Sequence, residues 1–119
     1  MNEIVLKAPN PKQAVKLVTV LIKNGLHVTD VAIQYSLREV PSVTLSNVSK
    51  FPLVLTGTID GFPVRVSVSQ ISVGRYCEGA YALSKILREL GFPFEELDLY
   101  TVRRFNKNTG NLTMNFSKR

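Results

Sequence analysis

The chain has 119 residues, 45% of them hydrophobic, with 15 Lys and Arg against 9 Asp and Glu, giving a net charge of +6 and a sequence pI near 9.7. That size and apolar content suit one domain whose core needs no metal or disulfide, and the single cysteine, Cys77, excludes an intrachain disulfide. No run approaches the roughly 20 apolar residues of a membrane span and no N-terminal stretch resembles a signal peptide, so a cytoplasmic protein with an anionic partner is expected.

In chain order, "NEIVLKA" (2–8) alternates and predicts a strand. "PNPKQAVKLVTVLIKNG" (9–25) predicts a helix. Asn10 is its N-cap, Pro11 its first residue, and Gly25 its stop; Ala14, Leu17, Val18 and Leu21 form one apolar stripe. Strand-like runs follow at 28–38 and 43–48. "LVLTGTIDGFPVRVSVSQ" (53–70) is a hairpin closed by Asp60-Gly61, a pair suited to a tight primed turn, with Pro63 fitting a strand end or an edge. A second helix is expected from about Cys77 to Leu90, ended by Gly91, with Ala80, Leu83, Leu87 and Leu90 as its core stripe. "LDLYTVRRF" and "NLTMNFSK" flank "NKNTG" and predict a C-terminal hairpin with a longer loop.

The two halves align. Shifted by 66 residues, 14–33 lies over 80–99: Ala14 meets Ala80, Leu17 meets Leu83, Leu21 meets Leu87 and Gly25 meets Gly91. Shifted by 65, "YSLREV" (35–40) lies over "YTVRRF" (100–105), a match that helix periodicity does not explain. The expectation is a single α+β domain: a twisted antiparallel sheet with two helices, an internal pseudo-repeat and a C-terminal basic β-hairpin. The first copy covers about 1–50, the central hairpin 53–70, and the second copy about 71–119.

Charge separates the copies. After Asp98 there is no acidic residue, while Arg103, Arg104, Lys107, Lys118 and Arg119 are all basic. In "YTVRRFNKN" (100–108), Arg103 and Arg104 point to opposite faces of a strand. With Tyr100, Asn106 and Lys107 they offer stacking, hydrogen bonds and positive charge, suited to a nucleotide or a nucleic-acid backbone. A solvated hairpin guarding a sheet edge fits them equally. The second candidate is "VGRYCEGAY" (73–81). Free N–H groups at a helix start favour a phosphate, Arg75 adds a forked donor and Tyr76 a ring, although no P-loop or dinucleotide fingerprint is present and Glu78 would repel an anion. An ordinary strand-to-helix turn explains the same residues.

Enzyme chemistry finds little material. His27 and Cys77 are each the only residue of their type, so no Cys/His zinc cluster exists; no catalytic residue, metal or cofactor is expected. Cys77 reads as structural, and His27, just past a helix-ending glycine, as a cap for that end.

The order of elements, with the helix "CEGAYALSKILREL" set before the hairpin "YTVRRFNKNTGNLTMNFSK", resembles the phage anti-Thoeris sponge proteins that sequester cyclic ADP-ribose signals. The resemblance spans the chain in order and size, and no diagnostic motif is matched. It implies a homo-oligomer in a host cytoplasm that binds a signalling nucleotide without cleaving it. "LRELGFPFEELDL" in a duplicated α/β half is also similar to the TATA-binding-protein fold. The phenylalanine wedges of that family have no equivalent at Val40 and Val48, counterparts of Phe105 and Phe116. A nucleotide sequestering protein is the leading expectation. A sequence-tolerant nucleic-acid binder and an adaptor pairing through a sheet edge are the alternatives.

Overall fold

The structure, a computed structural model, describes residues 2–36, 52–71, 78–94 and 111–117. It holds strands β1 (Asn2–Leu6), β2 (Leu26–Ser36), β3 (Leu53–Ile59), β4 (Phe62–Val68) and β5 (Asn111–Ser117), with helices α1 (Pro11–Lys23) and α2 (Glu78–Leu90). The strands form one five-stranded sheet in the order β1-β4-β3-β2-β5. It is a single α+β domain with two helices, but the sheet is mixed. β2, β3, β4 and β5 pair antiparallel, while β1 pairs parallel to β4, Asn2 opposite Val64 through Leu6 opposite Val68. The expected all-antiparallel sheet is corrected on this point. The meander β2-β3-β4 leaves β2 and β4 pointing the same way, and α1 carries the chain from β1 back across the sheet, so β1 also runs in that direction.

Local chemistry sets the elements. The Asn10 side chain accepts from the Gln13 N–H at 2.9 Å, Pro11 occupies the first turn, and Ala14 and Val18 are buried with Leu17 and Leu21 packed beside them. The helix C-cap is Asn24, whose Nδ2 donates to the Val20 carbonyl at 2.7 Å. His27 does not serve that end: it is already inside β2, opposite Thr58, because Gly25 at φ +102° turns the chain straight into the strand. Gly91 turns the chain in the same way after α2, at φ +78°. The residue after each glycine, Leu26 or Phe92, is buried, and Arg88 lies 5.8 Å from the Phe94 ring centroid. Asp60 and Gly61, at φ +50° and +82°, form the expected tight turn between β3 and β4. Pro63 precedes the first β1–β4 pair, so its missing N–H costs the sheet nothing on that side.

Both helices cover one face of the sheet. Val28, Val31, Ile33, Leu53, Leu55, Val64, Val66, Val68 and Met114 present that face, and Leu83, Ile86, Leu87 and Leu90 of α2 close over it with Ala14 and Val18 of α1. All four expected stripe residues of α2 are buried. A bulge between Val28 and Asp30 preserves this pattern, since without the extra residue one half of β2 would turn its apolar side to solvent. The runs at 37–51 and 95–110, which include the expected strand at 43–48 and the first arm of the C-terminal hairpin, lie outside the described residues.

Candidate functional site

The two helices run side by side in the same direction. Thr19, in the second half of α1, donates to Glu89 Oε2 in the last turn of α2 at 2.8 Å, while the first turns of the two helices border a common groove. Its volume is about 620 Å³, within the range of small-molecule sites. Pro11, Val15 and Ala82 give it an apolar floor. Lys12 and Lys16 stand on the α1 side, one turn apart; Glu78, Tyr81 and Lys85 stand on the α2 side. Tyr81, the one aromatic residue of α1 and α2, exposes 48% of its surface.

The electrostatics of this groove are one-sided. Three lysines face one carboxylate, Glu78, and among the described residues none of the three forms a salt bridge. Both helix N-termini open at the same end, so their partial positive charges add to those of the lysines. α1 carries no acidic residue in its first turn. A cation there works against the helix dipole, an arrangement that costs stability unless an anion is bound. The groove can thus take a ligand with negative charge and a flat face: ammonium groups for phosphate, an aromatic ring for a base.

Among the described residues no helix covers the opposite face of the sheet. One row of residues crosses all five strands in register: Ser117, Asp30, Thr56, Arg65 and Glu3. The Ser117 hydroxyl donates to Asp30 Oδ1 at 2.6 Å, and Thr29 Oγ1 lies 2.9 Å from Asp30 Oδ2 and 3.2 Å from the Thr56 carbonyl, with one proton to serve both. Arg65 meets Glu3 at 3.4 Å across an exposed gap. Ala32, Gln34, Pro52, Val54, Thr56 and Arg65 line a shallower cavity of about 300 Å³ there. Among the described residues its one guanidinium, Arg65, already faces Glu3, so it offers an anion less than the helix groove does.

Those hydrogen bonds hold the Asp30 carboxyl below its ordinary pKa, Ser117 contributing most and Thr29 next, against a smaller upward push from desolvation. A depressed folded-state pKa means stability that is present above the unfolded pKa and lost as pH falls through the folded one. Ser117→Ala should therefore raise the Asp30 pKa towards its ordinary value and start that loss at a higher pH. An NMR pH titration of the Asp30 carboxyl checks this; an unchanged midpoint would show that Ser117 does not set it.

The sequence candidates Arg75, Tyr76, Tyr100, Arg103, Arg104, Asn106 and Lys107 all lie outside the described residues. Glu78, which Arg75 and Tyr76 shortly precede in the chain, is on the groove's rim. Lys12, Lys16, Tyr81 and Lys85 were not singled out from sequence. The available signal was spacing: Lys12 and Lys16, like Tyr81 and Lys85, stand four apart on the polar side of an amphipathic helix. That spacing is also ordinary surface decoration, and only the parallel packing of the helices brings the two pairs together. Among the described residues no three His, Cys, Asp or Glu side chains gather into a group that could hold a metal ion, and no helix is long and apolar enough to cross a membrane. Compared with protein-family models, curated proteins and solved structures, the chain matches none of them.

Proposed function

We propose that this protein is a non-enzymatic binder that sequesters a phosphate-bearing nucleotide in the groove between α1 and α2. The observation that supports it is the set Lys12, Lys16 and Lys85, without a carboxylate partner among the described residues and placed around an apolar-floored groove at the start of two parallel helices. In this reading the lysines hold phosphate oxygens and the Tyr81 ring stacks on a base or flanks a ribose. Arg75 and Tyr76 extend the site from the segment leading into α2, and the basic stretch with Tyr100, Arg103, Arg104, Asn106 and Lys107 adds positive charge from the second copy of the pseudo-repeat. A cyclic ADP-ribose-type signal has the required diphosphate, ribose and purine.

Calorimetric titration with ADP-ribose and cyclic ADP-ribose tests the reading. The wild type should bind at least one of them, and Lys12→Ala with Lys16→Ala and Lys85→Ala should lose at least about 100-fold in affinity, since charged hydrogen bonds contribute about 1.5–3 kcal/mol each. Glu78→Gln should bind more tightly, because it removes the one negative charge among the described residues of the groove. A wild type that binds neither nucleotide, or a triple variant with unchanged affinity, would sink the assignment. Binding to single-stranded oligonucleotides instead, with affinity falling steeply as salt rises, would move the function to nucleic acid.

A further inference from the structure

We propose that β1 is a dimerisation edge on which a second copy of this chain adds its own β1, antiparallel, to continue the sheet across a twofold axis at Val5. Among the described residues β1 has a neighbour, β4, on one side only. The direction of its backbone groups is fixed by two contacts. The Leu6 carbonyl accepts from the Ser69 N–H at 3.1 Å, and the Ala8 N–H donates to Ser69 Oγ at 2.9 Å. Even-numbered residues therefore point their N–H and C=O groups at β4, and the odd-numbered residues Glu3, Val5 and Lys7 point theirs outward.

Symmetry and charge select one register. With Val5 opposite Val5 of the other copy, Glu3 falls opposite Lys7 and Lys7 opposite Glu3. Every outward N–H and C=O of these three residues then finds a partner, as narrow pairs of an antiparallel ladder require. Moving the axis to Ile4 sets Glu3 against Val5, and moving it to Leu6 sets Lys7 against Val5 and Glu3 against Pro9, which has no N–H to give. The favoured register alone places opposite charges across the seam twice and an apolar pair at the axis.

Burial agrees. Val5 is 50% exposed, one of few large apolar residues left to solvent. Ile4 and Leu6 lie on the helix-covered side yet are only partly buried, because the sheet stops there. In the paired register Ile4 meets Leu6 of the other copy, and the apolar layer runs on across the axis. The edge carries none of the usual defences at its centre: no proline, no bulge and no inward charge, with Lys7 only at its end.

Sedimentation velocity over a concentration series tests this, with circular dichroism and thermal melts alongside. The wild type should dimerise. Val5→Pro removes an outward N–H and no bond to β4, so it should give a folded monomer. Glu3→Lys should weaken the dimer by about tenfold, since it sets Lys against Lys on both sides of the axis, and adding Lys7→Glu should restore it by reversing each pair. A wild type that stays monomeric, a folded Val5→Pro variant that still dimerises, or a swapped pair that fails to restore association would each overturn the proposal. If Val5→Pro melts early, the swapped pair decides. Nucleotide titration of the monomeric variant keeps the two proposals separate, because no groove residue lies in β1.

Discussion

Gly57→Ala should be among the most damaging single substitutions in this protein, lowering stability by more than about 3 kcal/mol and the melting temperature by more than about 10 °C. Gly57 sits in the middle of β3, opposite Val28 where the bulge in β2 begins. A Cβ built on it overlaps the His27 carbonyl oxygen and comes within 2.8 Å of both the His27 carbonyl carbon and Val28 Cα. All three are backbone atoms of a central strand, so no rotamer change relieves the overlap. The strand pair must part or the bulge must shift, and a shifted bulge reverses which side chains of β2 face the core. Gly61→Ala is the control. Gly61 has φ +82° but nothing within 4 Å of its added Cβ, so it carries only the left-handed backbone cost of about 1–2 kcal/mol. Thermal melts of the two variants separate steric overlap from backbone strain; equal losses would show that the Gly57 contact is not decisive.

Gly57 also marks where the sequence stops being legible. Periodicity found both helices and their core stripes, and residue type found the Asn10 cap and the glycines that end each helix, because an amphipathic helix needs only local order. It found the β3–β4 hairpin because Asp60-Gly61 dictates a turn without reference to anything distant. It did not find that β1 lies parallel to β4. Strand direction depends on where α1 delivers the chain, and no residue in "NEIVLKA" records that. The bulge at Val28–Asp30 was equally hidden, although an isolated glycine in the β3 pattern was the available clue to a close backbone approach. The groove was hidden for the same reason as the parallel strand. Lys12 and Lys16 stand nearly 70 residues before Tyr81 and Lys85, and they share a groove only because two parallel strands each send a helix back across the same face. His27 shows the opposite error: a local cap rule assigned it, and tertiary pairing with Thr58 claimed it for the sheet.

Stability and binding should come apart along α2. Leu83→Ala should cost about 2–5 kcal/mol, because Leu83 is wholly buried between the helices and the sheet, and its removal leaves a cavity that the rigid strands beneath cannot fill. Lys85, two residues on, is exposed and has no salt bridge among the described residues, so Lys85→Ala should shift stability by less than about 0.5 kcal/mol. Lys12 goes further. It follows Pro11 in the first turn of α1, where a cation opposes the dipole and no acid compensates, so Lys12→Glu should stabilise the free protein by about 0.5 kcal/mol. The same change should weaken nucleotide binding, as it puts a carboxylate where a phosphate would sit. Urea unfolding curves with and without nucleotide check both signs. A lysine that lowers stability in the free protein and raises it in the complex is selected for the ligand. A Lys12→Glu variant less stable than the wild type, with binding unchanged, would make Lys12 an ordinary surface residue and remove it from the site.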